Sequence, residues 1–426
     1  MPLTIRGLAV VLFAIAAIGL GQISLAADRC AAAPQPSDFV LPPVGSPFIF
    51  RVPDGIVHPV AGTDGLIHLA YVAQVTNTTE APGKDFRVVP VDPLTDFQAT
   101  GQNFVETTGG NVITSLIQPF SSTPQENTDP PVSPPPTIYT DKLSPGNSGL
   151  VFFDVTYTDQ PAVPVLLSHR LFVDLNFGGV TKHTAFTTPV PVDCDRPVVL
   201  ISPLGGSGWV NVNGCCAVVD DHRRAVQPLN GELRPAQQFA IDWAQIDADR
   251  RCCTGDPSQL RSWVGYGAPV FAAASGTVFS VVRDLPDQEP VGTVHDISLT
   301  NATGNSIIED IGRGRFILYA HMQPGSIPSL LVPGTHIVAG QQIGRLGNSG
   351  NSAAPHLHFQ VMDSPSALVS SGLPFVFNRL QLQGRYIGTG DQAFAEFLAG
   401  RPLPITTSGS GTQLRRMPLS NAVFAF

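Results

Sequence analysis

The first half of the chain repeats a pattern in which apolar and polar side chains alternate. Between residues 67 and 75, and again over 151–157 and 171–177, every odd-numbered position is apolar. This period of two indicates half-buried β-strands. Turn signals such as Pro145–Gly149 separate the runs. Short strands divided by turns are typical of an antiparallel sandwich, and we expect an immunoglobulin-like β-sandwich over residues 38–192.

The second half of the chain also has the alternation that is typical of β-strands. In the segment 236–243, Phe239, Ile241 and Trp243 form an apolar face, which leaves Gln238 and Asp242 on the opposite face. Further strands are predicted over 267–279, 315–321, 332–344 and 356–361. We therefore expect a mostly β chain, with a second, antiparallel domain over 205–378 joined through a linker at 193–197.

The last part of the chain is predicted to lie outside that second domain. Residues 379–426 are interpreted as a C-terminal tail that contains a short helix over Gln392–Ala399. The Thr406–Thr412 stretch is rich in Ser, Thr and Gly, which is typical of a loose segment. The Ser/Thr/Pro-rich stretch between Phe120 and Thr137 predicts a long exposed loop in the first domain.

The composition argues against a nucleic-acid-binding protein and against a mainly helical one. Only 13% of the 426 residues are charged, and the formal net charge is -9. No cluster of Lys and Arg is long enough to follow a phosphate backbone, so we expect no nucleic-acid partner. The 41 Gly and 40 Pro residues favour a turn-rich β protein over a helical one.

The N-terminus resembles an export signal. Arg6 precedes an apolar run from Leu8 to Leu20, and small residues follow at Ser24–Ala26. This layout predicts a secretory signal peptide over residues 1–27, because the run is too short to span a bilayer comfortably. We expect a protein that is secreted or retained in the cell envelope, with no transmembrane segment after cleavage.

An exported chain with six cysteines is expected to form disulfides. Two adjacent pairs, Cys215–Cys216 and Cys252–Cys253, suggest a bridge from one pair to the other, and Cys194 is a candidate partner for Cys30. Zinc held by four thiolates is a weaker interpretation, because adjacent cysteines lack the usual C-x₂-C spacing.

Candidate chemistry concentrates at His356-Leu-His358. Residues two apart on a strand share a face, so the two imidazoles should stand side by side. One imidazole can then bind a metal ion while its neighbour handles a proton. Two histidines on a polar strand face by chance are the alternative. The remaining histidines of the first domain lack ligand-like spacing and are interpreted as structural or surface residues: His58, His68, His169 and His183.

Five motifs of the second domain occur in an order that resembles the lysostaphin/LytM-type zinc metallopeptidases, which act on peptidoglycan. These are AIDW (240–243), GAPVFAAASGTV (267–278), YAH (319–321), VAGQQIGRLGNSGN (338–351) and PHLHF (355–359). The resemblance covers residues 227–363 and does not extend to the first domain. It implies an antiparallel β fold, one zinc ion, and hydrolysis of a cell-wall peptide.

The resemblance also implies roles for individual residues. Asp242 and His358 would be zinc ligands, and His321 and His356 would be catalytic residues beside the metal. Because His356 neighbours His358 on the same strand, it could accept the proton of the attacking water. His321 could stabilise the oxyanion or protonate the leaving amine, and the sequence leaves this division of roles open.

One departure from the family pattern is at Gln238, where the family has its first histidine ligand. A neutral amide is a poor zinc ligand. Three interpretations follow: Gln238 binds through its oxygen, another histidine such as His222 fills the place, or the site is inactive. An inactive domain would bind cell-wall peptide or regulate another hydrolase, and a purely structural envelope protein is a further alternative.

Overall fold

The computed structural model describes residues 46–101, 114–116, 143–177, 179–217, 220–388 and 390–426. The predicted signal peptide, Cys30 and the predicted loop between Phe120 and Thr137 lie outside the described residues. Regular structure in the described part is mostly β, which confirms the predicted fold class. No described helix is long and apolar enough to cross a membrane.

The N-terminal domain consists of antiparallel strands that form two sheets among the described residues. One sheet has the order β1-β3-β7-β6 with β2 beside β3, and the other has the order β10-β8-β4-β5 with β9 beside β8. The strands are β1 (Phe48–Arg51), β2 (Pro59–Ala61), β3 (Ile67–Asn77), β4 (Lys84–Asp92), β5 (Gln98–Ala99), β6 (Thr114–Leu116), β7 (Ser148–Tyr157), β8 (Leu166–Phe177), β9 (Val180–Phe186) and β10 (Val190–Pro191).

Both sheets of this domain bury their apolar faces in one core. Leu69 and Tyr71 of β3 and Val155 of β7 pack in the same cluster as Leu171 and Val173 of β8. The odd-numbered positions identified from the sequence are therefore the inward-facing ones. Two sheets around a shared core make a β-sandwich, and the immunoglobulin-like strand order stays a prediction.

The C-terminal domain is organised around one large sheet. Its main path among the described residues runs β11-β24-β27-β12-β15-β22-β19-β18-β17-β20, and only the β11–β24 pairing is parallel. The strands are β11 (Val198–Leu200), β12 (Trp209–Asn213), β13 (Gln227–Leu229), β14 (Glu232–Arg234), β15 (Ile241–Gln245), β16 (Pro269–Phe271), β17 (Gly276–Val282), β18 (Asn305–Asp310), β19 (Phe316–Met322), β20 (His336–Ile337), β21 (Gln342–Arg345), β22 (Leu357–Met362), β23 (Gly372–Leu373), β24 (Phe375–Tyr386), β25 (Ile405–Thr406), β26 (Gly411–Arg416) and β27 (Ala422–Ala425).

The described residues also form two α-helices, α1 (Asp221–Arg224) and α2 (Gly390–Leu398), and three 3₁₀ helices of three residues each. The predicted helix over 392–399 thus exists, shifted slightly toward the N-terminus. The chain around it differs from the expected tail, because β24 and β27 are interior strands of the large sheet. Residues 379–426 therefore belong to the body of the domain, and Thr406–Thr412 connects β25 to β26.

The two domains share a continuous interface. Val60 and Ala70 of the first domain are buried in the apolar core of the second. Backbone hydrogen bonds also cross the boundary, from Thr63 N to Met417 O at 3.1 Å and from Met417 N to Ala61 O at 2.8 Å. The C-terminal strands therefore contribute to the domain contact as well as to the sheet.

The cysteine arrangement corrects the expected bridge between the two adjacent pairs. Cys215 and Cys216 form a disulfide with each other, whereas Cys252 and Cys253 are buried free thiols. The two pairs pack in different apolar clusters, which keeps them apart. Cys194 is disulfide-bonded, and its predicted partner Cys30 lies outside the described residues.

Candidate metal centre

Two neighbouring strands bring a carboxylate and an imidazole together. In the β15–β22 pairing Asp242 lies directly opposite His358. Their flanking residues Ile241, Trp243 and Leu357 are fully buried on the apolar side of the sheet. Because side chains alternate along a strand, burial of these neighbours directs Asp242 and His358 to the opposite face.

Asp242 is the centre of this face, since three imidazoles approach its two carboxylate oxygens. His358 Nδ1 lies 2.9 Å and His356 Nε2 3.3 Å from Oδ1, and His222 Nε2 lies 3.1 Å from Oδ2. Asn213 Nδ2 on β12 also donates to Oδ2, at 3.0 Å. Asn213 is a member of the site that sequence reasoning missed, because only the β12–β15 register brings it to Asp242.

The site is buried and electrostatically coupled. Burial alone would raise the pKa of Asp242, but His222 and His356 hold the pKa of this carboxyl well below its usual range. Burial lowers the pKa of each of these two imidazoles, yet the Asp242 carboxylate opposes it and leaves both pKa values raised. Asp242 is therefore ionised, and its negative charge favours positively charged partners.

His222 reaches the site from outside the strands, on the single turn of α1. Its Nε2 atom points to Asp242, and its Nδ1 atom lies 3.2 Å from the carbonyl oxygen of Ala240. The donor atoms of His222, Asp242 and His358 all lie within 4.8 Å of one another. Two imidazoles and one carboxylate are a common ligand set for catalytic zinc, so the residues present fit the metal that the sequence resemblance implies.

Gln238 makes a different contact. Its side-chain nitrogen donates a 2.9 Å hydrogen bond to the carbonyl oxygen of Ala70 in the N-terminal domain. Residues 236–239 form a turn and β15 begins only at Ile241, so the strand alternation used to place Gln238 beside Asp242 does not reach it. Of the two alternative ligands weighed from the sequence, the structure places His222 beside Asp242 and joins Gln238 to the domain interface.

Each of the four imidazoles has an oxygen acceptor on the side away from its neighbours. In a neutral imidazole, a proton on the nitrogen that faces this acceptor leaves the lone pair on the other nitrogen, which in His222, His356 and His358 faces an oxygen of Asp242. The contacts are His222 Nδ1 to Ala240 O at 3.2 Å, His321 Nδ1 to Ser349 O at 2.8 Å, His356 Nδ1 to Ala354 O at 2.8 Å, and His358 Nε2 to Gln360 Oε1 at 2.8 Å.

His321 lies beside the cluster at the end of β19. Its ring centroid is 4.7 Å from that of His356 and 5.8 Å from that of His358. Its backbone has φ of +62°, a left-handed conformation that histidine adopts more readily than most residues. Burial and the neighbouring imidazoles hold the pKa of His321 well below its usual value, so this ring is neutral.

A family match covers the strands that carry three of these histidines. Residues 263–369 match the model of peptidase family M23. The resemblance of the C-terminal domain to the lysostaphin/LytM type of peptidase is thereby confirmed. The matched segment contains His321, His356 and His358, whereas His222 and Asp242 precede it. Asp242 joins it through the β15–β22 pairing, and His222 reaches it through the contact with Asp242. No curated protein matches the sequence significantly.

Several solved structures of peptidases are also similar to the chain. The catalytic domain of the prophage-encoded M23 protein EnpA from Enterococcus faecalis is 20% identical, covers 40% of this chain and 92% of its own, and has a TM-score of 0.24. The catalytic domain of lysostaphin from Staphylococcus simulans is 22% identical, covers 39% of this chain and 86% of its own, and has a TM-score of 0.20. A zinc-containing peptidase from Vibrio cholerae is 16% identical, covers 48% of this chain and 56% of its own, and has a TM-score of 0.20. TM-scores this low carry no argument, so the resemblance rests on the family match.

Proposed function

We propose that the protein is an exported zinc metalloendopeptidase that hydrolyses peptide bonds in cell-wall peptidoglycan. The observation that carries the proposal is the convergence of His222, Asp242 and His358, which gives the domain three ligands despite Gln238. The M23 match supports the reaction class. The sequence of the N-terminus and the Cys215–Cys216 disulfide support export to an oxidising compartment.

His222 Nε2, His358 Nδ1 and the Asp242 carboxylate would hold the ion. When bound, zinc lowers the pKa of a coordinated water to about 7 and polarises the scissile carbonyl. Asn213 supports this arrangement by donating to Asp242 Oδ2, which fixes the orientation of the carboxylate.

His321 and His356 are the proton-handling pair in this proposal. His321 directs its Nδ1 proton to Ser349 O, so Nε2 is free to accept the proton that the attacking water loses. His356 is not one of the three proposed ligands, so its Nε2 atom, 3.3 Å from Asp242 Oδ1, stays available to carry the proton that the leaving amine needs. This division is the reverse of the one expected from the sequence, where His356 accepts the proton because it neighbours His358 on one strand.

The test uses mature protein purified after removal of the predicted signal peptide. Zinc content is measured by elemental analysis for the wild type, His222→Ala and His358→Ala, and peptide cleavage is followed as new amino groups released from purified peptidoglycan. We expect one zinc ion and cleavage in the wild type, and loss of both in each variant. Wild-type protein that stays zinc-free in zinc-supplemented buffer would overturn the proposal, and zinc without cleavage would identify a degenerate binding domain instead.

A further inference from the structure

The residue next to His222 is anchored in the other domain. The Arg223 guanidinium is buried, and its Nη2 atom donates to Tyr71 O at 3.2 Å and to Phe153 O at 2.8 Å. These carbonyls lie on β3 and β7, where Tyr71 and Phe153 are paired across the two strands. One side chain of α1 is thus bound to two adjacent strands of the sandwich.

Two carboxylates offset part of the cost of burying the Arg223 guanidinium. Burial lowers the pKa of Arg223 to about 10, and the negative charges of Asp154 and Asp220 oppose this shift. Asp220, which immediately precedes α1, also accepts a 2.6 Å hydrogen bond from Ser420 Oγ. Hydrogen bonds from a charged donor are stronger than neutral ones, and breaking them in a buried site leaves unpaired groups.

Helix α1 has little stability of its own. It spans four residues, Asp221–Arg224, and a single turn is far below the length at which an isolated helix forms. The chain that follows it also packs on the sandwich, where Val226 and Leu233 contact Val72, Leu150 and Phe152. The position of His222 is therefore set by contacts with the N-terminal domain, in addition to its own bond to Ala240 O.

We propose that the N-terminal domain is a positioning element of the metal site, and that Arg223 transmits its effect to His222. The proposal rests on the proposed function, because it concerns the ligand that replaces the family histidine at Gln238. The sandwich holds the helix that carries one ligand, while strands β15 and β22 of the C-terminal domain carry the other two. Zinc affinity should then depend on a contact between domains.

The test is zinc affinity of the full mature chain, measured by competition with a chromophoric chelator. Arg223→Met keeps the apolar stem and removes the donors, and we expect it to bind zinc about 10–100-fold more weakly, as when other residues that orient metal ligands are changed. Arg223→Lys keeps one charged donor and should recover part of that loss. The matched control is Arg385→Met, which removes another interdomain bond, to Thr63 O at 3.0 Å, and should leave the affinity unchanged.

A second readout separates this proposal from the proposed function. In zinc-free wild type, the ring protons of His222 and His358 should show a nuclear Overhauser contact, because the ring centroids are 4.9 Å apart. The contact should disappear in Arg223→Met and weaken in Arg223→Lys, which serves as the test if the Met variant does not fold. A folded variant that keeps this contact or keeps wild-type zinc affinity would overturn the positioning role. A wild type that shows the ring contact but binds no zinc would instead overturn the proposed function.

Discussion

His222 Nε2 lies 3.1 Å from Asp242 Oδ2, although the two residues are separated by a whole hairpin, β13–β14. The C-terminal domain therefore brings an imidazole from helix α1 to Asp242, while Gln238 binds the N-terminal domain. Under the proposed function, this relocation of a ligand preserves the donor set and changes the element that has to be held in place. The consequences can be tested at single positions.

Replacing Gln238 by alanine should lower stability and leave zinc affinity unchanged. The substitution removes the donor to Ala70 O and leaves a buried carbonyl unpaired, which costs about 1–3 kcal/mol. Urea unfolding measures the first effect and chelator competition the second. Gln238→His is the sharper companion variant, since we expect no gain in zinc affinity from it. A gain would mean that position 238 faces the metal and that His222 is not the third ligand.

Replacing Gln360 by leucine should weaken zinc binding about 10–100-fold. Gln360 Oε1 accepts from His358 Nε2 at 2.8 Å and so keeps the lone pair of Nδ1 directed at the metal position. The conservative control is Gln360→Glu, which retains an acceptor and should retain zinc. Equal affinity of Gln360→Leu and wild type would show that the tautomer of His358 is fixed by something else.

Replacing His321 by asparagine should abolish most peptide cleavage without removing zinc. Asparagine tolerates the left-handed backbone that His321 adopts, so the fold should survive. Loss of a proton acceptor typically lowers the rate by about 10²–10⁴-fold. Rates are compared at matched zinc occupancy. If His321→Asn loses its zinc as well, His321 is a ligand and the proposed division of roles is wrong.

Local alternation predicted fewer than half of the 27 described strands, but among them β15, β19 and β22, which lie at the candidate site. Alternation also showed which side chains share a face with Asp242 and His358, while the family resemblance implied their role as ligands. The alternation does not extend to Gln238. The chain turns before β15 begins at Ile241, so residues 238 and 242 do not lie on one strand and need not share a face. His222 could be named from the sequence only as one of several histidines, since its approach depends on Arg223 and the contact between domains. Strands β24 and β27 were missed because their pairing joins distant parts of the chain.

The free thiols should react only when the protein unfolds. Cys252 and Cys253 are buried, and burial together with the neighbouring thiol raises the pKa of Cys252 well above its ordinary value. Reactivity requires an accessible thiolate. Alkylation followed by peptide mass analysis should therefore label neither residue in native protein and both in denaturant. Label on Cys215 or Cys216 without a reductant would contradict the disulfide between them.

The stabilising contribution of His68 should disappear at alkaline pH. His68 is buried on β3, with Nδ1 2.8 Å from Asp154 and Nε2 3.2 Å from Asp64. Burial alone would lower its pKa, but these two carboxylates raise the pKa to about 9, compared with about 6.5 in an unfolded chain. The folded protein thus binds the His68 proton more tightly than the unfolded chain does. The resulting stability is fully present below pH 6.5 and is lost as the pH rises through 9.

Urea unfolding of the wild type and His68→Gln at pH 6 and pH 9.5 measures this difference. At pH 6 the wild type should be more stable than the variant, and the part of that margin due to the shifted proton, on the order of 3 kcal/mol, should be absent at pH 9.5. His336→Gln is the control, because that side chain is exposed on an edge strand and its variant should follow the wild type at both pH values. A margin for His68 that does not change between the two pH values would mean that His68 is neutral in the folded protein, and that Asp154 balances Arg223 rather than an imidazolium.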